Sequence, residues 1–128
     1  MSNSLFLRRI LAVDSLSCLA MGLLMGVGAA ALAPLFGLPE ALVRGAGLAL
    51  LPLAAFIFWL ATRPNPPRML VWVVIVGNLA WTAESFVTLG QSHATALGTA
   101  FVAAQAVAVL GLTALEYVGV RRATTAVA

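Results

Sequence analysis

Four apolar segments, each about as long as a helix that crosses a lipid bilayer, occupy most of this 128-residue chain. Such a helix needs about 20 residues, and the segments cover residues 10–33, 44–62, 69–90 and 94–119. The chain is 62% hydrophobic and 9% charged, which leaves too few charged groups to cover a water-soluble domain. We therefore predict an all-α integral membrane protein, an antiparallel four-helix bundle that forms a single transmembrane domain over residues 1–128.

The first segment has an alternative interpretation as a cleavable signal peptide. Two arginines, an apolar stretch and a run of small residues follow one another in the order that such a peptide requires. Asp14 interrupts the apolar stretch, however, and Pro34 follows the best small-residue site, where cleavage would be poor. We therefore expect this segment to be retained as a helix.

The arginines predict how the bundle is oriented. All seven basic residues are arginines: Arg8, Arg9, Arg44, Arg63, Arg68, Arg121 and Arg122. With four spans, the N-terminal head, the middle loop and the C-terminal tail share one side of the membrane and hold all of them except Arg44. Cytoplasmic loops are enriched in basic residues, so we predict that both termini are cytoplasmic. The arginines then contact membrane lipid headgroups, and we expect no nucleic-acid partner.

Residue types that catalysis or cofactor binding commonly require are scarce. Cys18 is the only cysteine, His93 is the only histidine, and lysine is absent. An internal disulfide, a multi-cysteine metal site and a lysine Schiff base are therefore excluded. Ser15 and Ser17 have no histidine within the apolar segments to act as a base. We expect a protein that is not an enzyme and that binds no cofactor and no metal.

Polar residues within the second, third and fourth segments form the first candidate site. At about 1.5 Å per helical residue, Glu84 lies roughly 24 Å from Arg68, and Arg44 roughly 28 Å from Arg63. Both distances reach the outer half of the membrane, where Gln105 also lies, with Asn78 about two turns below Glu84. We predict either an ion pair between Arg44 and Glu84, or a small polar pocket that these four residues line.

A second group of charged residues lies near the cytoplasmic ends of the first and last helices. Asp14 and Glu116 are each about one and a half turns inside the arginine pairs. We predict that they form an electrostatic clasp with Arg121, Arg122 or Arg8.

Small residues and prolines predict how the helices pack. Spacings of four place small residues on one face of helix 1 and of helix 4, where they allow close helix packing: Cys18, Gly22 and Gly26, and Ala100, Ala104 and Ala108. The segment "RPNPPR", residues 63–68, is stiff because it contains three prolines. We therefore expect helices 2 and 3 to form a tight antiparallel hairpin.

The stretch "RGAGLALLPLAAFIFWLATRPNPPRMLVWVVIVGNLAW", residues 44–81, resembles a group of small, uncharacterised bacterial inner-membrane proteins. Their pattern is an arginine at the start of helix 2, a proline-rich inner turn and an Asn-x-x-Trp in helix 3. The matching positions are Arg44, Pro52, Trp59, Arg63, Trp72, Asn78 and Trp81. The resemblance implies a multi-pass protein of the bacterial inner membrane and implies nothing about its chemistry.

Two functions from different classes are consistent with these features. The first is a structural or accessory subunit of a larger membrane complex or of a homo-oligomer, which the small-residue stripes favour. The second is a small carrier or lipophile-binding protein with a polar pocket around Glu84. Substitution would separate them. Glu84→Gln that keeps the folded yield but abolishes a ligand- or proton-dependent signal would favour the carrier, whereas losses of yield in Arg44→Ala and Glu84→Ala that the double variant restores would indicate a structural pair.

Overall fold

The computed structural model of this protein describes residues 2–91 and 93–127, with the side chains of 5–91 and 93–122. These residues form four α-helices: α1 Ser2–Phe36, α2 Glu40–Ala61, α3 Arg68–Gln91 and α4 Ala96–Val127. Each contains a stretch that is long and apolar enough to cross a membrane. The prediction of an all-helical chain is therefore confirmed for the described residues. α1 and α4 extend beyond the predicted apolar segments because their polar ends continue the same helical hydrogen bonding.

α1 ends at Phe36 in a Schellman cap. Gly37 has a φ of 68°, in the left-handed region where a side chain would be strained. The Leu38 amide donates to the Ala33 carbonyl at 3.1 Å, which is the hydrogen bond that closes this type of cap. Pro34 lies within the last turn of α1 and does not end it. A proline removes only one backbone donor, and the cap at Gly37 sets the end of the helix instead.

The start of α4 is joined to the end of α1. The Thr95 hydroxyl caps α4 by accepting a hydrogen bond from the Gly98 amide at 3.0 Å. The same hydroxyl donates to the Leu35 carbonyl at 2.6 Å. The Thr95 amide also donates to the Phe36 carbonyl at 2.9 Å. Any Cβ at Gly98 would overlap that carbonyl. Phe36 stacks on Phe101 at 4.6 Å between ring centroids, so α1 and α4 are held closely at this end.

α2 packs most closely on α1 and approaches α3 at only a few points. A Cβ added to Gly47 of α2 would overlap the backbone nitrogen of Gly26, and one added to Gly22 would lie 2.9 Å from the Gly47 carbonyl oxygen. The absence of side chains at these positions lets the two backbones touch. The prediction of a tight hairpin between α2 and α3 is therefore wrong, because the glycines draw α2 onto α1. α4 completes the bundle by packing on both α1 and α3.

One end of the bundle, which we call the arginine end, comprises the start of α1, the turn at residues 62–67 and the end of α4. There the Arg8 Nε donates to the Ala61 carbonyl at 3.1 Å, which satisfies a free carbonyl at the C-terminus of α2. Trp72 meets Tyr117 edge to face at 5.7 Å. The guanidinium of Arg63 lies 5.3 Å from the centre of the Trp59 ring. These contacts show that α1 and α3 run antiparallel to α2 and α4.

Many large apolar side chains are exposed on the outside of the bundle, while several polar ones are buried within its largely apolar core. Val27 is 81% exposed and Met69 is 79% exposed. The buried polar and charged residues of the described part of the chain are Asp14, Ser15, Asn78, Thr82, Ser85, Thr113 and Glu116. So many exposed large apolar side chains are unusual for a water-soluble domain.

Candidate functional site

An amide joins two buried carboxyl groups inside the bundle. The Asn78 Nδ2 donates to the Asp14 Oδ2 at 2.9 Å and to the Glu116 Oε1 at 3.0 Å. The three residues come from α3, α1 and α4, and none is more than 4% exposed. A side-chain amide has two N–H donors, so Asn78 uses one for each acid. We call these three residues the acid–amide cluster.

The neighbours of the acid–amide cluster leave one acceptor unused. The Cys18 Sγ is a weak donor 3.6 Å from the Asp14 Oδ1. The Thr82 hydroxyl donates to the backbone carbonyl of Asn78 at 2.9 Å. The Glu116 Oε2 is buried without a hydrogen-bond partner among the described residues. Buried polar atoms almost always have a partner, so this oxygen is the unsatisfied polar atom of the cluster among the described residues.

No described arginine neutralises the two acids. The ion pair that the described side chains form is between Arg44 and Glu40, on the surface of α2. It is energetically costly for two neighbouring carboxyl groups in an apolar surrounding both to be negatively charged. The acid–amide cluster therefore favours the arrival of positive charge, either as a proton or as a cation.

A cavity of about 310 Å³, which we call the acidic cavity, lies beside the acid–amide cluster. Asp14 and Asn78 contribute polar surface to it, while Met21, Leu50, Trp81 and Phe101 contribute apolar and aromatic surface. Exposed residues of α1 and α4 form its edge: Ser17, Ala104 and Ala108. A volume of this size with a few polar groups in an apolar wall is typical of sites for small organic ligands.

A second cavity, of about 370 Å³, lies where α2 and α3 fail to meet, and we call it the α2–α3 cavity. Glu84, Ser85 and Thr88 form its polar wall, and Leu42, Gly45, Ala46 and Ala49 are among the residues of its apolar wall. Trp81 and Gln105 border both cavities. The Trp81 Nε1 donates to the Gln105 Oε1 at 2.8 Å, and the Gln105 Nε2 donates to the Ser85 hydroxyl at 3.0 Å. This hydrogen-bonded pair forms a partition between the cavities.

The structure distributes the residues of the first predicted site over three places. Arg44 donates to Glu40 at 2.8 Å rather than to Glu84. This corrects the predicted Arg44–Glu84 pair, because Glu40 is one helical turn away whereas α2 and α3 barely approach. Glu84 is exposed and shares the α2–α3 cavity with Gln105. Asn78 belongs to the acid–amide cluster.

The second predicted group is also rearranged. Asp14 and Glu116 are brought together, but by Asn78 and not by arginine. The Arg121 Nη1 donates to the Tyr117 hydroxyl at 3.1 Å, and its guanidinium lies 5.7 Å from the centre of that ring. Tyr117 is one turn away on the same helix and is therefore the nearer partner. The expected clasp is thus replaced by a buried cluster of two acids and an amide.

The predicted small-residue stripes have different surroundings. Gly22 and Gly26 contact α2 around Gly47, so that stripe packs within the chain. Cys18 is buried next to Asp14. On α4 the row remains uncovered by the described helices, since its three alanines are all exposed: Ala100, Ala104 and Ala108.

Comparisons with known proteins give no relative of this chain. No protein-family model, curated protein or solved structure matches it significantly. Among the residues that the structure describes, no group of three or more histidine, cysteine or acidic residues is placed to hold a metal ion. The candidate site is therefore argued from its geometry.

Proposed function

We propose that this protein binds a lipophilic organic cation in the acidic cavity of a membrane-embedded bundle, with Asp14 as the counter-charge. The observation that carries the proposal is the acid–amide cluster, in which two buried acids share one amide and face no described arginine. An ionisable residue inside a membrane bundle is costly to bury and most often serves binding or transport. A carrier or a lipophile-binding protein is the function class that this geometry supports best.

The wall of the acidic cavity suits a cation with an apolar body. Trp81 and Phe101 offer aromatic faces, which attract organic cations when water is excluded. Met21 and Leu50 contact the apolar part. Glu116 lies behind Asn78 and holds the amide in place, so that the carboxylate of Asp14 faces the cavity while Asn78 stays oriented.

The surface of the bundle supports its placement in a membrane. Side chains as apolar as Val27 and Met69 are almost fully exposed, and lipid is the solvent in which such exposure is favourable. Arginines and aromatic rings gather at the arginine end, as is typical of a cytoplasmic membrane boundary. We propose a multi-pass protein of the bacterial inner membrane with both termini in the cytoplasm.

Labelling of engineered cysteines tests this orientation. In a Cys18→Ser background, Asn65→Cys reports on the arginine end and His93→Cys on the opposite end. We expect a membrane-impermeant maleimide to label His93→Cys in intact spheroplasts, and Asn65→Cys only after the membrane is opened. The reverse pattern would place both termini outside, and labelling of both sites in intact spheroplasts would rule out the four-span topology.

A pair of ligands that match in shape but differ in charge tests the proposed binding. N-hexylpyridinium and hexylbenzene have nearly the same shape, but only the first is charged. In lipid nanodiscs, corrected for partition into protein-free discs, we expect calorimetry to show saturable binding of the cation and weaker binding of hexylbenzene. Asp14→Asn should raise the Kd of the buried site for the cation at least about tenfold, because an interaction with a charged group contributes about 1.5–3 kcal/mol.

The matched control is Glu40→Gln, the same kind of change at an exposed residue outside both cavities. It should leave the Kd unchanged. Equal affinity of the wild type for the charged and neutral ligands would refute the proposal, as would an Asp14→Asn variant that binds the cation as tightly as the wild type. Circular dichroism and the elution volume of each variant check that it remains folded.

A second candidate function is an accessory subunit of a membrane complex or a homo-oligomer. It is favoured by the exposed alanine row on α4, which offers a second helix a close approach. Native mass spectrometry of protein extracted in mild detergent separates the candidates. Stoichiometric foreign subunits would favour the accessory function, whereas a bare monomer or homo-oligomer that retains a small lipophilic molecule would favour the binding function.

A further inference from the structure

We propose that the α2–α3 cavity is a second binding site for the same class of lipophilic cation, with Glu84 as its counter-charge. This inference builds on the ligand class of the proposed function but concerns different residues. Glu84 lies on the polar wall of the cavity, and no described residue forms an ion pair or a side-chain hydrogen bond with its carboxylate. The cavity therefore has a negative charge available for a ligand.

The two walls of the α2–α3 cavity match the two parts of such a ligand. On the α3 wall, Ser85 and Thr88 lie close to Glu84 and provide polar surface for a charged head. The α2 wall is built from small and aliphatic residues, including Leu42, Ala46 and Ala49. Because α2 and α3 barely approach each other, this cavity faces the surroundings of the bundle, from which an amphipathic molecule arrives.

The partition makes the two sites separate but adjacent. Trp81 and Gln105 are hydrogen bonded to each other and border both cavities. Ser85 holds Gln105 from the side of the α2–α3 cavity. A ligand in either cavity therefore contacts the same tryptophan ring, while its charge faces Glu84 in one cavity and Asp14 in the other. We expect two cations per chain.

The exposure of the two acids predicts how the sites differ. Asp14 is 2% exposed, so bulk salt screens it little. Glu84 is exposed and lies about 10 Å before the end of α3 at Gln91, close to the proposed outer boundary of the membrane, so dissolved salt reaches it and weakens its attraction for a cation. The second site should therefore be the weaker of the two, and only its affinity should fall clearly between low and high salt.

Calorimetry with N-hexylpyridinium in nanodiscs tests this inference through the stoichiometry. We expect two cations per wild-type chain at low salt and one for Glu84→Gln. Asp14→Asn should lose the tighter, salt-insensitive site and retain the weaker, salt-sensitive one. Quenching of Trp81 fluorescence, measured in a Trp59→Phe, Trp72→Phe background, should saturate in two phases in the parent and in one phase in each acid variant.

A steric variant gives an independent test. A Cβ at Gly45 would have nothing within 4 Å, and this residue lines the α2–α3 cavity, so we expect the ring of Gly45→Phe to occupy the cavity. It should remove the second site alone. Gly111→Phe is the matched control, since Gly111 also has open space around it but lines neither cavity.

The outcomes separate this inference from the proposed function. A single site that depends on Asp14 and is unaffected by Glu84→Gln and Gly45→Phe would overturn the second site and leave the proposed function standing. A single site that depends on Glu84 would do the opposite. Absence of saturable binding to the wild type would overturn both.

Discussion

Gly47→Ala is expected to lower the free energy of unfolding by about 3 kcal/mol, the upper end of the usual effect of overpacking. The added Cβ would overlap the backbone nitrogen of Gly26 and would lie 2.7 Å from the carbonyl carbon of Met25. Both contacts are with backbone, so no side-chain rotation relieves them. α2 would have to move away from α1 along the most extensive helix–helix contact of the described helices.

Unfolding in mixed micelles, monitored by circular dichroism, measures this loss of stability. Gly45→Ala is the control on the same helix, because a Cβ there has nothing within 4 Å. Since alanine has the higher helix propensity, the control should be neutral or slightly stabilising. If both variants unfold at the same denaturant concentration as the wild type, the close contact between α1 and α2 is not formed as described.

The glycines also show how far a sequence of this kind predicts its packing. A spacing of four places Gly22 and Gly26 on one face of α1, and the structure uses that face for close packing. Periodicity identifies the face but not the helix that covers it. Gly47 lies in an otherwise apolar segment without a comparable pattern, so α2 could not be assigned to α1, and the stiff turn at residues 62–67 favoured α3 instead.

The candidate site was only partly predictable, because depth was counted from the arginines. That count places Asp14 about 9 Å beyond Arg8 and Asn78 about 15 Å beyond Arg68, and it therefore assigned Asp14 to the cytoplasmic end of the bundle and Asn78 to the middle of the membrane. In the structure their side chains meet at 2.9 Å. The two arginines are unequal reference points, since Arg8 donates to the Ala61 carbonyl at the last residue of α2, whereas Arg68 begins α3 beyond the turn. The residue types were sufficient to find the polar positions but not their grouping.

Asn78→Leu is expected to lower the free energy of unfolding by about 3–5 kcal/mol, because it removes the only described donor that joins two buried acids. Hydrogen bonds to charged groups contribute about 1.5–3 kcal/mol each. A leucine of similar size would also leave Asp14 and Glu116 facing apolar atoms. The yield of folded protein in mild detergent and unfolding in mixed micelles both measure the loss.

The same change in an Asp14→Asn, Glu116→Gln background shows whether the acids are the cause. If Asn78 stabilises the protein by holding two carboxyl groups, Asn78→Leu should have a much smaller effect once both are amides. Equal losses in the two backgrounds would instead assign Asn78 to packing alone. In that case the acid–amide cluster would not be the element that orients Asp14 towards the acidic cavity, and cation binding would have to depend on Asp14 without its neighbours.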